Sequence, residues 1–307
     1  MSIKINNFGG KLVWYFRVNH PGFSSKLALQ TADFLYRRNN LNYIKKFMAK
    51  KEIPLFQQVM IETVNRCNGK CSFCPANVGS EVRPFKKMDE ALFYKIIEQL
   101  KDLNYAGAIY LNVNNEPFID TRILTFAGCI KKEIPKAKVN IITNGTLLTK
   151  EKMVAAAECI DNMVINDYGG GYELSDAIKE VYEHVCANAE KFAKINILIN
   201  RRYGDEVLAT RAGAAPNKPK KTFSINSPCI YPFTDLVIFP DGKVGICCND
   251  CFEVGGFGDV NIENLYDIWK NDKFRDLRKK MCMGRESYPF CKECDVVDAG
   301  SREKLSL

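Results

Sequence analysis

The chain has 307 residues, 46% of them apolar, and a formal net charge of +8. That length fits one large domain or a domain with a small appendage, and the apolar share is ordinary for a protein with a buried core. No run of 18 or more apolar residues occurs, which excludes a membrane-spanning helix. Met1–Asn19 has no uninterrupted apolar stretch before a small-residue cleavage site, so no signal peptide is expected.

The charge is uneven. Residues 1–55 carry Lys4, Lys11, Arg17, Lys26, Arg37, Arg38, Lys45, Lys46, Lys50 and Lys51 against Asp33 and Glu52, so the excess resides there and the remainder is balanced. Such a head suits an anionic surface, with membrane-surface contact as one reading and a solvated helical face as the plainer one; no nucleic acid is expected. Residues 24–49 read as one or two helices, with Leu27, Thr31 and Leu35, then Tyr43 and Phe47, at four-residue steps, and Ser24 or Ser25 as a start cap. The extension, 1–55, is expected on the outside of the main domain. Pro54 ends it, and Gln57–Val64 begins the first strand.

Next comes Cys67-Asn68-Gly69-Lys70-Cys71-Ser72-Phe73-Cys74, three thiols spaced C-x3-C-x2-C. Thiolates are what iron–sulfur clusters require, and a [4Fe–4S] cube normally takes four, so three on one loop leave an iron free for an external molecule. Zinc loops usually pair two C-x2-C units. Beyond the loop the alternation of strand and helix is regular. A helix carries Leu92, Ile96, Leu100 and Leu103 on one face. Strands at Gly107–Val113, Lys138–Thr143, Asn162–Asn166 and Lys194–Asn200 alternate with helices around 122–132, 149–159 and 174–192. Repeated βα units imply a parallel sheet curling into a full or partial barrel, residues 56–202, with its site at the strands' C-terminal ends.

Cys67, Cys71, Phe73 and Cys74 form C-x3-C-x-aromatic-C, which resembles the signature of the radical S-adenosylmethionine (SAM) superfamily. The resemblance implies a partial (β/α)6-type barrel and a [4Fe–4S] cluster on the three cysteines, with its fourth iron chelated by SAM and the Phe73 region touching the adenine. It also assigns roles to strand ends. Asn114-Asn115-Glu116-Pro117 resembles a Gly-Gly-Glu-Pro-like segment that holds SAM's amino group through carbonyls and the carboxylate. Two asparagines stand where the pattern has glycines, and carbonyl oxygens do not depend on the side chain. Thr143-Asn144-Gly145-Thr146 also resembles the family, and Asn166 and Asp167 end the strand that commonly contacts SAM's ribose or methionine. Arg201 and Arg202 end the next, a position suited to a carboxylate clamp. Tyr168-Gly169-Gly170-Gly171 lacks phosphate-loop spacing and reads as a flexible turn.

Residues 203–226 lose apolar periodicity and read as a linker or a loop over the site; their Arg211-Ala212-Gly213 step resembles one in relatives with a C-terminal cluster domain. The last region, 227–307, holds Cys229, Cys247, Cys248, Cys251, Cys282, Cys291 and Cys294. Asp235–Phe239 and Lys243–Ile246 read as a hairpin turning at Asp241-Gly242, and residues 262–281 as a helix. This layout is similar to the SPASM/twitch extension of radical SAM enzymes, a small hairpin-and-helix iron–sulfur domain. The resemblance implies one auxiliary [4Fe–4S] cluster on Cys229, Cys247, Cys291 and Cys294, with a structural zinc as the alternative. Cys251, Cys248 and Cys282 remain as candidate hydrogen donors, in that order of preference. Cys129, Cys159 and Cys186 read as core.

The implied activity is generation of a 5′-deoxyadenosyl radical that abstracts hydrogen from a C–H bond of a small polar substrate, a sugar, aminocyclitol or polyol. Oxidation or epimerisation follows, according to whether an electron leaves or a thiol returns hydrogen. A ribosomal-peptide maturase and a non-catalytic electron-transfer protein are the alternatives. A flavodoxin or ferredoxin as reductant and a low-oxygen cytoplasm complete the expectation.

Overall fold

The computed structural model describes residues 3–6, 23–76, 83–170, 173–222, 224, 225 and 227–296. The basic residues Lys11 and Arg17, His20, and Gly171 of the glycine turn lie outside them. Strand β1 (Ile3–Asn6) and helix α1 (Phe23–Met48) precede β2 (Gln58–Ile61), α2 (Glu90–Asp102), β3 (Ala108–Tyr110), α3 (Ile123–Glu133) and β4 (Lys138–Thr143). Then come α4 (Lys150–Cys159), β5 (Asn162–Asp167), α5 (Asp176–Ala187) and β6 (Asn196–Arg201). The C-terminal region adds α6 (Tyr231–Thr234), β7 (Asp235–Ile238), β8 (Lys243–Gly245), β9 (Gly258–Asp259), α7 (Leu265–Lys270), α8 (Asp272–Met283) and α9 (Pro289–Lys292).

The strands form one open sheet in the order β1-β6-β5-β4-β3-β2-β7-β8-β9, parallel from β1 to β7 and antiparallel beyond. It is the unclosed partial barrel that the βα alternation demands. Apolar strand residues such as Ile109, Val139, Ile141, Met163, Ile165 and Ile199 are fully buried, because helices cover the sheet. Helix α2 shows how the sequence dictates a layer. Asp89 caps it by accepting from the Ala91 N–H, and Leu92, Phe93, Ile96, Ile97 and Leu100 bury one face. Phe93 stacks on Phe126 of α3 at 3.9 Å. Each such side chain stabilises the layer by roughly 1.5–3 kcal/mol. Thr149 caps α4 in the same way.

Three features depart from the expected organisation. The hairpin β7–β8 does turn at Asp241-Gly242, with Gly242 at φ +85°, but β7 pairs with β2, so the C-terminal region continues the main sheet. An unpaired β2 edge would expose a row of backbone donors and acceptors, and β7 satisfies them. Second, residues 262–281 form two helices. Asn271, extended at φ −65°, ψ 171°, ends α7 and caps α8 by accepting from the Phe274 N–H at 3.0 Å. Third, the N-terminal segment is integrated into the fold: β1 adds an edge strand to β6, and α1 docks on the C-terminal region. Asp33 accepts from the Ser227 N–H (2.8 Å), Asn40 donates to the Pro228 carbonyl (3.1 Å), and Phe47 packs edge-on against Phe233 (5.3 Å). Arg37, Arg38, Lys45 and Lys46 face solvent. Among the described residues no helix is long and apolar enough to cross a membrane.

Candidate functional site

The thiol loop leaves β2 at its C-terminal end and is pinned from both sides. Asn68 donates to Thr146 Oγ1 (2.8 Å), while Asn144 donates to Asn68 Oδ1 (2.8 Å) and reaches Cys67 Sγ at 3.9 Å. On the other flank the Ser72 N–H donates to the Gly204 carbonyl (2.7 Å) and Asn217 donates to Ser72 Oγ (3.1 Å). Of the two readings for 203–226, a linker or a loop over the site, the contacts of Gly204 and Asn217 fit the loop. Cys67, Cys71 and Cys74 are half-buried, and Gly69 lies beside two of them: a Cβ there would touch Cys67 Sγ at 3.4 Å and Cys71 Sγ at 3.9 Å, ordinary contact distances. Burial, then the charges of neighbouring groups including the other two thiols, pushes Cys67 up to about 11. Three half-buried thiols on one loop fit a cation-rich cluster, which neutralises them together.

The strand ends converge beside this loop. Glu116 receives the Thr143 hydroxyl (2.6 Å) and the N–H groups of Asn144 (2.7 Å) and Phe118 (3.2 Å), so its carboxylate braces the end of β3 against that of β4. Burial raises its pKa, and those three donors work against the rise. Asn114 donates its N–H to Glu62 Oε1 (2.9 Å), and Asn115 Oδ1 caps its own turn at the Val113 N–H (3.0 Å). Asn166 accepts from Asn200 (3.1 Å), and Asp167 accepts from the N–H groups of Gly169 and Ser175. The fork of Arg202 holds Glu206 (2.6 and 3.0 Å), an internal clamp beside Cys71. Arg201 is half-buried at the end of β6. Phe73 is buried and faces the Tyr168 ring at 6.0 Å, so the turn after β5 contributes an aromatic wall to the thiol loop.

The second thiol set is assembled from distant chain. Cys247, Cys291 and Cys294 are buried and Cys229 half-buried, and all four line one small cavity. Burial, and then the other thiols, lifts Cys247 well above the ordinary thiol range. Among the described residues no group of three His, Cys, Asp or Glu is placed to hold a single metal ion; four thiols lining one cavity are the donor set a cubane takes. Asp250 shapes the adjoining loop, collecting the N–H groups of Ile246, Val254 and Gly255 at 2.8–3.2 Å. Cys251 is buried in that loop, Cys248 is half-buried, and Cys282 is exposed on α8, next to Met281, whose sulfur accepts from the Cys229 N–H (3.4 Å).

One side chain joins the two sets. Arg211 donates to Cys74 Sγ (3.7 Å), to the Cys248 carbonyl (3.3 Å) and to Asn114 Oδ1, while Asn114 Nδ2 reaches the same carbonyl (3.2 Å). Arg211 and Ala212 hold φ of +48° and +57°, left-handed values that cost non-glycine residues about 1–2 kcal/mol each. Thr210 pins this turn to the Glu293 carbonyl (2.6 Å) and Asp295 (2.7 Å), beyond Cys294. Beneath it, Glu62 is wholly buried against Arg83, and desolvation outweighs the Arg83 attraction to push its carboxyl up to about 7. Glu62, Arg83 and Arg285 lie outside the cysteine spacing and were not singled out from the sequence, and Tyr168 was legible only as part of a turn. The buried charge of Glu62, one residue past an apolar strand, was the signal available.

The Radical SAM superfamily model matches residues 61–202, and an iron-sulfur cluster-binding domain model, SPASM, matches 229–295. A curated relative from Niallia circulans, S-adenosyl-L-methionine-dependent 2-deoxy-scyllo-inosamine dehydrogenase, is 29% identical over 253 residues, covering 81% of this chain and 97% of the relative. The solved structure of BtrN in complex with AdoMet and 2-DOIA has a TM-score of 0.70 at 28% identity, covering 82% of this chain and 98% of that one. BtrN in an open conformation gives 0.60 at 25% identity, covering 79% and 94%. Fold and thiol geometry agree with both models: this chain belongs to the radical SAM superfamily and carries a C-terminal SPASM-type iron–sulfur domain.

Proposed function

We propose that this radical SAM enzyme is a dehydrogenase that oxidises a secondary alcohol on a small polyhydroxylated ring of the aminocyclitol class. Two supports combine. The relative that shares nearly its whole length with this chain is named for oxidising an aminocyclitol. Within this chain, Arg211 links Cys74 to the carbonyl of Cys248, the neighbour of Cys247, and Asn114 after β3 reaches the same carbonyl; that link is the observation that carries the reading. Cys67, Cys71 and Cys74 would hold the SAM-binding [4Fe–4S] cluster, and Cys229, Cys247, Cys291 and Cys294 the auxiliary one. When bound, SAM and the two clusters supply reductive SAM cleavage, a hydrogen-abstracting radical and a sink for the substrate's second electron.

The chain's own residues position and screen. Glu116, Asn144 and Asn68 hold the thiol loop and the β3 and β4 ends as one unit. Phe73 and Tyr168 place apolar surface beside it and limit water. Glu62, wholly buried, holds the Asn114 N–H and Arg83 and so fixes the end of β3 beneath the Arg211 turn. The half-exposed thiol loop fits a flavodoxin or ferredoxin donor in a low-oxygen cytoplasm, and the exposed basic residues of α1 leave membrane-surface contact open as a proposal.

Epimerisation is the second reading, carried by Cys251. Burial pushes this thiol up to about 11 despite Arg83 and Arg211, so it keeps the S–H that a hydrogen donor needs. Anaerobic turnover of an aminocyclitol panel with SAM and dithionite in deuterated water separates the readings. Equal amounts of 5′-deoxyadenosine and ketone, with no deuterium at carbon, are expected. Solvent deuterium at carbon, lost in Cys251→Ala, would replace the dehydrogenase by an epimerase. Turnover of leader-bearing peptides alone would replace both by a peptide maturase.

A further inference from the structure

Two arginines of the C-terminal region are buried, and their surroundings differ. Arg278 lies over the Trp269 ring at 4.0 Å, donates to the carbonyls of Pro232 and Trp269, and is held by aromatic faces. Arg285, 5% exposed, has no such box. It donates to the Ser227 carbonyl (3.0 Å), the Cys294 carbonyl (3.5 Å) and, through Nη1, to Cys294 Sγ (3.8 Å). Among the described residues no carboxylate forms an ion pair with it: neighbouring Glu286 goes to Lys221, and Asp295 to Lys218. A buried cation needs a counter-charge. The counter-ion of Arg285 is therefore the four-sulfur site itself, whose cavity it lines.

We propose that Arg285 sets the reduction potential of the group held by Cys229, Cys247, Cys291 and Cys294, raising it through its fixed charge and its hydrogen bond to the Cys294 sulfur. This rests on the reading that those four cysteines hold an iron–sulfur cluster. Reduction adds one negative charge to such a cluster. A fixed positive charge at hydrogen-bond distance in a poorly solvated site stabilises the reduced form more than the oxidised one, and a donor to sulfur acts in the same direction. Arg285 thereby makes the site a better acceptor of one electron. It acts through the cluster and is a positioning residue.

The test is an anaerobic redox titration followed by electron paramagnetic resonance on the holoenzyme and on Arg285→Gln, Arg285→Met and Arg285→Lys. Wild type should hold about eight iron atoms per chain, two cubes; about four would remove the reading on which this rests, separately from the proposal. In Arg285→Gln and Arg285→Met with both clusters present, the auxiliary signal should move to lower potential by at least a tenfold change in the one-electron equilibrium constant, about 59 mV. The cluster of Cys67, Cys71 and Cys74 should not move. Unchanged auxiliary potentials would overturn the proposal, and so would equal shifts in both clusters, which mark a general loosening. If the neutral variants do not assemble the auxiliary cluster, Arg285→Lys decides. Its ammonium keeps the charge without the fork, so a potential within about 59 mV of wild type supports the proposal, and a larger fall despite the retained charge overturns it.

Discussion

The two thiol sets solve the same problem by opposite routes. Cys67, Cys71 and Cys74 are neighbours in sequence, half exposed, and held by neutral donors from Asn144 and one arginine, Arg211. Cys229, Cys247, Cys291 and Cys294 come from a segment before β7, a hairpin end, and α9 with the turn after it; three of them are buried, and the Arg285 guanidinium donates to one. A short loop with three thiols needs little fold to form, and it leaves room for an external ligand. Four dispersed thiols need the finished sheet and α8, and they close on what they hold. The difference matches an entry point for cofactor chemistry on one side and a sealed electron acceptor on the other.

The sharpest way to break that division is to empty one set at a time. Cys71→Ala should abolish 5′-deoxyadenosine formation and bring iron to about four atoms per chain. Cys291→Ala should lose the same iron yet keep SAM cleavage within about tenfold, while ketone formation falls by roughly a thousandfold or more. Loss of both activities in both variants would mean the sets do not divide the labour. Next in size is the scaffold of the first set. Gly145 sits at φ +75°, and a Cβ there would meet Ile178 at 2.7 Å and Ile165 at 2.8 Å. Gly145→Ala should cost about 3 kcal/mol in anaerobic urea unfolding, and a loss below about 1 kcal/mol would show that the turn adapts.

The seam between the sets has its own signature in pH. Glu62 has a folded pKa raised from 4.5 to about 7. Its contribution to stability is fully present below its unfolded pKa and is lost as pH rises through about 7, on the order of 3 kcal/mol across that window. Glu62→Gln should flatten the fall in unfolding free energy between pH 5 and 7.5 (about the accessible range); a slope equal to wild type would place the titration elsewhere. Smallest is the break between α7 and α8. Asn271→Ala removes the acceptor for the Phe274 N–H and should cost about 1 kcal/mol. A loss confined to stability, with both clusters retained, would show that the cap serves α8 and not the thiols.

The first set was legible almost whole. C-x3-C-x2-C after an apolar strand is a local pattern, and the polar residues that follow β3, β4 and β5 appear where strand ends place them. Their partners were not legible. Glu116, expected to face a cofactor, also accepts from Thr143, Asn144 and Phe118; Arg202, expected as a carboxylate clamp, grips Glu206. Hydrogen-bond partners depend on side chains that are distant in sequence, and no spacing rule supplies them. The N-terminal segment was misplaced for the same reason: its helical period was visible, whereas the docking of Asp33 and Asn40 on Ser227 and Pro228 spans most of the chain.

By itself the sequence determined the βα alternation, the three-thiol loop, the Asp241-Gly242 turn and the candidate cysteines of the second set, because periodicity, glycine at turns and thiol spacing are properties of neighbouring residues. Tertiary structure alone decided that β7 would extend the barrel sheet through β2, that the left-handed turn at Arg211 would tie Cys74 to Cys248, and that Arg285 would take sulfur as its counter-ion. Edge pairing, strain and buried charge are settled only once the whole chain has excluded water, and that is where the reactivity of this protein is set.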